Sequence, residues 1–258
     1  MLEYIDSHAH YDDAAFDDDR YETIERVHAG GVMRIINIGC TEESSLASLG
    51  FAERYEYVYA AVGMHPENVD DVKEGYIDRL KKMCANEKTV AVGEIGLDYH
   101  YEGFDREKQQ RIFSEQLELA EELGLPVIVH SRDAAMDTLD ILKKYRPKGV
   151  MHCFSGSPET AEEVLRLGMY LGFTGAVTFR NAKRAAKVLE MVPADRLLLE
   201  TDCPYMAPEP HRGKRCDSSL IVHTIARIAE IKGMTAEEVA SAATENTYRL
   251  FERMKQHP

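Results

Sequence analysis

The chain has no run of about 18 apolar residues, so no segment is expected to cross a bilayer as a helix. Its first residues, MLEYIDSHAH, contain no basic stretch leading into an apolar one, so no secretory signal is expected. Cysteine is scarce. The five present are an odd number without regular spacing, which argues against a disulfide framework and for a reducing cytoplasm. Positive charge is also in short supply. The 31 lysines and arginines face 45 acids, for a net charge of −14. Such a balance disfavours broad, nonspecific adhesion to nucleic acid. It leaves an anionic substrate open, because bound divalent cations would reverse the sign locally. No glycine-rich phosphate fingerprint follows the first strand-like run, which weighs against an open, doubly wound sheet. Internal repeats, low-complexity tracts and linkers are missing too, so residues 1–258 are expected to form one domain.

What is there is alternation. Eight short apolar runs end near His10, Ile38, Val62, Glu94, His130, Cys153, Phe173 and Glu200. Most are continuously apolar, as in strands buried on both faces. Helix patterns follow nearly all of them. The spacing predicts helices over 21–29, 44–54, 70–86, 107–123, 134–145 and 183–191, one starting at Ser157-Pro158-Glu159, and two more from Ser219 on. The last of these opens with the capping box Thr235-Ala236-Glu237-Glu238. Right-handed βα crossovers repeated eight times close into a (β/α)8 barrel of the α/β class, with extra C-terminal helices.

In such a barrel the active site forms at the C-terminal ends of the strands. There the sequence places His8, His10, His65, Glu94, His130, His152 and Asp202, so that five of the ten histidines meet at one opening. His8 and His10 are two apart and would share a strand face. Each of these residues alone is an ordinary hydrogen-bonded polar group. Jointly, buried imidazoles and carboxylates converging on one mouth would be costly unless they shared metal. The set suggests two divalent ions. His8 and His10, with Asp202, serve one side, His130 and His152 serve the other, and the Glu94 carboxylate bridges. Nitrogen-rich sites suit Zn, Mn or Co better than Mg.

The segments Ile5-Asp6-Ser7-His8-Ala9-His10, Val62-Gly63-Met64-His65-Pro66, Gly93-Glu94-Ile95-Gly96-Leu97-Asp98-Tyr99, His130-Ser131-Arg132, His152-Cys153-Phe154-Ser155-Gly156 and Leu199-Glu200-Thr201-Asp202-Cys203-Pro204-Tyr205 together resemble the TatD family of metal-dependent hydrolases. The resemblance spans essentially the whole chain. It implies a metal-dependent deoxyribonuclease that removes nucleotides from the 3′ end of single-stranded DNA. It also implies metal binding by His8, His10, Glu94, His130, His152 and Asp202. One departure stands out. After Pro210-His211-Arg212-Gly213-Lys214-Arg215 the family usually continues with Asn and an acid-Pro step, whereas this chain reads Cys216-Asp217-Ser218-Ser219. The departure is expected to bear on substrate preference more than on metal.

Paired cations suit phosphodiester hydrolysis, since they hold a nonbridging oxygen, acidify a bound water and neutralise the leaving oxygen. Asp202 and Glu94 are the expected catalytic carboxylates, with Asp202 either a ligand that also accepts the water's proton or a ligand only. His65, Arg132 and Arg212 are the expected substrate contacts. For the two arginines the alternative is surface ion pairing, which 45 acids make easy. Tyr99 and Phe154 either stack on bases or pack as walls. Cys153 and Cys203 lack an evident base and are not read as nucleophiles. The expected partners are single-stranded DNA ends or short oligonucleotides, with no membrane and no obligate protein partner. The competing activity is an amidohydrolase or esterase acting on a small anionic substrate with the same barrel and metals.

Overall fold

The computed structural model describes residues 2–256. Eight parallel strands lie in chain order: β1 (Tyr4–Ala9), β2 (Val32–Ile38), β3 (Val58–Val62), β4 (Thr89–Asp98), β5 (Val127–Arg132), β6 (Gly149–Met151), β7 (Tyr170–Phe173) and β8 (Leu197–Leu199). Between and after them run α1 (Arg20–Ala29), α2 (Glu42–Arg54), α3 (Tyr76–Cys84), α4 (Arg106–Leu123), α5 (Ala135–Tyr145), α6 (Pro158–Arg166), α7 (Lys183–Met191), α8 (Ile221–Lys232) and α9 (Ala236–Leu250). The ring closes where β8 meets β1. Ser7 Oγ donates to Leu199 O (3.0 Å), Asp202 N to His8 O (2.9 Å) and His10 N to Cys203 O (2.9 Å). This is the expected (β/α)8 barrel. Every residue of β1, β3, β4, β6, β7 and β8 is buried, as strands covered on both faces require.

Local signals set the helix ends. Asp105 caps α4 by accepting from Lys108 N (3.0 Å), and Gly124, at φ 64, ends it in the left-handed conformation that glycine tolerates. Ile112, Phe113, Gln116, Leu117 and Ala120 lie on its buried face. Ser157 caps α6 with proline in its first turn, and the Thr235/Glu238 capping box forms at α9. Three expectations are corrected. The helix expected over 70–86 is shorter, because Gly75 at φ 77 breaks it; Pro66–Asp71 is a 3-10 segment, and α3 starts only at Tyr76. Strand β4 does not end at Glu94 but runs on to Asp98. Of the two C-terminal helices, α8 completes the eighth βα unit, so α9 alone is surplus.

Helix α9 packs on β1 and β8. The chain then turns inward, and Leu250, Phe251 and Met254 join Ile5, Ile36, Ile38, Tyr59, Ala61 and Leu198 in one buried cluster. These three residues close that cluster on the side away from the histidines. The larger cluster lies between strands and helices, and includes Ile24, Leu80, Phe113, Leu142 and Ile225.

Candidate metal centre

The histidines expected from the sequence do converge. Glu94 sits at their centre, with 4% of its side chain exposed. Its two oxygens face different partners. Oε2 lies 3.4 Å from His8 Nε2 and 3.8 Å from His10 Nε2. Oε1 lies 2.7 Å from His152 Nε2, 2.9 Å from His130 Nδ1 and 3.5 Å from His65 Nε2. Asp202 Oδ1 stands 3.4 Å from His10 Nε2 and 3.7 Å from His8 Nε2. Seven residues from six strands, or from the turns just after them, thus meet in one place. His65, expected as a substrate contact, is among them, and its Nε2 groups with Glu94 and His130.

Backbone geometry helps to aim these side chains. Strand β4 shifts register against β5 between Val92 and Ile95, the stretch that contains Glu94. Gly63 allows this approach, since a Cβ there would strike the Gly93 backbone. Asp202 (φ 59) and Cys153 (φ 42) adopt the left-handed region, where a residue with a side chain is strained. Both follow a strand end, and both are held by hydrogen bonds: Asp202 N to His8 O, and Cys153 N to the Glu200 carboxylate.

The electrostatics follow from crowding. Burial disfavours the Glu94 charge, but His152, His65, His8 and His130 outweigh it and hold the carboxyl well below the ordinary range. Burial also opposes the charge on His130, yet its bonds to Asp98 and Glu94 push it up to about 9. His8 goes the other way: burial, helped by His152, pushes it down to about 4 against the pull of Glu94. Asp202 overcomes its burial through His10, His152 and His8, and lies low.

Three groups of three are placed to hold a metal ion: His8, His10 and Glu94; His65, Glu94 and His130; and His8, His152 and Glu200. Within each, the donor atoms lie within 4.8 Å of one another. His8 Nε2 and His10 Nε2 are only 3.1 Å apart. Two imidazole lone pairs at that distance repel unless a proton or a cation lies between them. Imidazole nitrogens with carboxylate oxygens make a donor set that fits a divalent transition ion.

Behind this ring stand acids that the sequence reading did not assign. Asp98 Oδ2 meets His130 Nε2 at 2.9 Å. Its signal was spacing, since 94, 96 and 98 share a strand face. Asp6 accepts from Thr201 Oγ1 (2.6 Å), Ser218 Oγ (2.6 Å) and the backbone N of His8 (3.2 Å), so it ties β1 to the segment after β8. Ser218 is one of the residues that depart from the usual family pattern, and its hydroxyl also meets Tyr11 OH at 2.7 Å. Glu200 lies buried behind His8 and His152, its carboxyl pushed up to about 8 by burial.

A cleft of about 520 Å³ opens beside the centre, lined among others by Tyr99, Arg132, Met136, His152, Phe154 and Arg184. Arg132 reaches it but also donates to Tyr101 OH (3.3 Å). Arg212 is exposed and rests on the Phe179 ring, 4.3 Å from its centroid. Arg184 was not anticipated. Tyr99 donates to Asp137 (2.7 Å) and stacks on Phe104, so it acts as a wall. Cys153 and Cys203 have thiols raised well above the usual range by burial, which removes any thiolate nucleophile.

A parallel barrel whose mouth gathers this donor set defines a metal-dependent hydrolase. The chain belongs to the TatD family: it matches the family described as TatD related DNase over residues 5–252. It is 44% identical over 250 residues to the uncharacterized metal-dependent hydrolase YabD of Bacillus subtilis (strain 168), covering 96% of this chain and 98% of that protein. It is 36% identical over 245 residues to the 3'-5' ssDNA/RNA exonuclease TatD of Cronobacter sakazakii, covering 92% and 93%. The crystal structure of the TatD homologue YjjV from Escherichia coli K12 superposes with a TM-score of 0.92 at 35% identity, over 96% of this chain and 98% of that one. Among the described residues, no helix is long and apolar enough to cross a membrane.

Proposed function

We propose that this hydrolase cleaves phosphodiester bonds at the ends of single-stranded DNA, as a 3′-5′ exonuclease. The observation that carries the reading is the split carboxylate of Glu94, one oxygen toward His8 and His10, the other toward His65, His130 and His152. A carboxylate so placed would hold two divalent ions, one with His8, His10 and Asp202, the other with His130, His152 and His65. The donor set suits Zn, Mn or Co. When bound, such ions lower the pKa of water and neutralise charge on a phosphoryl oxygen. The name of the Cronobacter sakazakii relative supports a nucleic-acid substrate.

The protein's own groups do the rest. The Asp202 side chain is 15% exposed against 4% for Glu94, so it faces the opening and can take the proton of an attacking water. Glu94, enclosed by histidines, acts through what it holds. Arg184 and Arg132 line the adjoining cleft, where a guanidinium pairs two phosphate oxygens. With an acidic surface elsewhere, a pocket of this kind grips a chain end, not a long duplex. All five cysteines are free, in keeping with a reducing cytoplasm.

Metal-stripped protein, re-loaded ion by ion, is assayed on linear single strands and on closed circles of equal length. Linear strands should shorten from the 3′ end while circles persist. Equal cleavage of both would overturn end recognition. Turnover of a carboxylic ester but not of a phosphodiester would favour the esterase reading.

A further inference from the structure

His8 and His152 stack face to face, with ring centroids 3.9 Å apart and planes 9° from parallel. Both turn Nε2 toward Glu94. That leaves their Nδ1 atoms on the opposite edges, and both are buried without a hydrogen-bond partner. Glu200 Oε2 is buried and unpartnered in the same way. One ring nitrogen of each histidine and one Glu200 oxygen lie within 4.8 Å of one another, and His152 Nδ1 is 3.8 Å from Glu200 Oε1. Glycine at 172 makes room for this carboxylate, since a Cβ there would fall onto it.

A buried polar atom without a partner is costly, and these three residues lie side by side, so a common explanation is called for. A further metal ion is a poor one. Each ring would then carry metal at both nitrogens and lose both protons. A shared acceptor is a better one, because a ring that offers Nε2 to metal keeps its proton on Nδ1. The separations are too long for direct bonds and suit one bridging water with three partners.

We infer that Glu200 is a positioning residue that holds the Nδ1–H groups of His8 and His152 through one buried water, which accepts from both rings and donates to the carboxylate. The inference rests on the metal-centre reading above. In the two-ion reading His8 and His152 serve different ions, so one carboxylate orders a ligand of each. Asp98 differs, since its carboxylate meets His130 and the backbone N of His100, not two ligand candidates.

The test compares wild type, Glu200→Gln and Asp98→Asn. Long-range 1H–15N spectra of the metal-free protein read the tautomers of the two rings. Wild type should show both rings protonated on Nδ1, and Glu200→Gln should lose this for at least one ring. Zinc titrations against a chelator should show both ions weakened roughly 10- to 100-fold in Glu200→Gln, but one ion only in Asp98→Asn. Thermal unfolding of metal-free Glu200→Gln confirms that it is folded. Nδ1 unprotonated in wild type, or unchanged affinity for both ions in folded Glu200→Gln, would overturn the inference. Wild type that binds no zinc would instead sink the metal-centre reading, and the tautomers would still judge Glu200.

Discussion

Asp98 turns His130 around. Its Oδ2 meets Nε2 at 2.9 Å, so His130 offers Nδ1 to Glu94, whereas His8, His10, His65 and His152 all offer Nε2. An amide in place of this carboxylate could not hold the ring as firmly. Asp98→Asn should weaken the ion on the His130 side by roughly 10- to 100-fold. Calorimetric zinc titration checks this, and two undisturbed binding steps would contradict it.

Glu94 belongs to two of the ligand groups, one with His8 and His10 and the other with His65 and His130. Glu94→Gln should therefore lower the content of both ions, and by more than the roughly 10- to 100-fold typical of an outer partner. Elemental analysis after dialysis measures it. Full metal content with unchanged activity would refute the assignment.

The metal-free protein should lose stability as pH rises. His130 has a folded pKa of about 9 against an ordinary 6.5, so its contribution is complete below about pH 6.5 and vanishes as pH rises through 9. Glu200, raised from 4.5 to about 8, acts in the same direction over its own window. Glu94 is depressed, so its contribution is present above pH 4.5 and is lost only on acidification. Metal needs unprotonated histidine, so protection by zinc should grow over the same range. Thermal unfolding in EDTA and in zinc from pH 6.5 to 9 tests both. A zinc-induced gain that stays flat with pH would count against histidine ligation.

Arg184 lines the cleft, whereas Arg212 rests on Phe179. Loss of a charge-assisted phosphate contact should lower kcat/KM by roughly 10- to 200-fold. Arg184→Ala and Arg132→Ala, at the two arginines that line the cleft, should each show such a fall with metal content intact. Steady-state kinetics on short oligonucleotides decides the matter, and two silent variants would move the substrate path elsewhere.

Phe251 is fully buried where the chain turns in below the barrel. Phe251→Ala should cost about 3–5 kcal/mol of stability through the cavity it leaves. Activity per folded molecule should hold, because the site lies at the other end of the strands. Chemical denaturation and kinetics separate the two.

The eight strands, most helices and the residues that gather at the barrel mouth were legible in the sequence. Strands buried on both faces need unbroken apolar runs, and crossovers leave a helical period, so order alone places His8, His10, Glu94, His130, His152 and Asp202 at one end. Local chemistry also marked Ser157-Pro158 and the Thr235/Glu238 box as helix starts, because caps act over a single turn. Tertiary structure decided what depends on distance between segments. It moved His65 in among the ligand candidates, since the turn after β3 brings Nε2 to 3.5 Å from Glu94. It paired Asp98 with His130, Asp6 with Ser218 and Thr201, and Glu200 with the backs of His8 and His152. Those partners are separated by as many as 212 positions, as Asp6 and Ser218 are. A buried acid looks the same in sequence whether it faces the metal or stands behind it, and only closure of the barrel decides which.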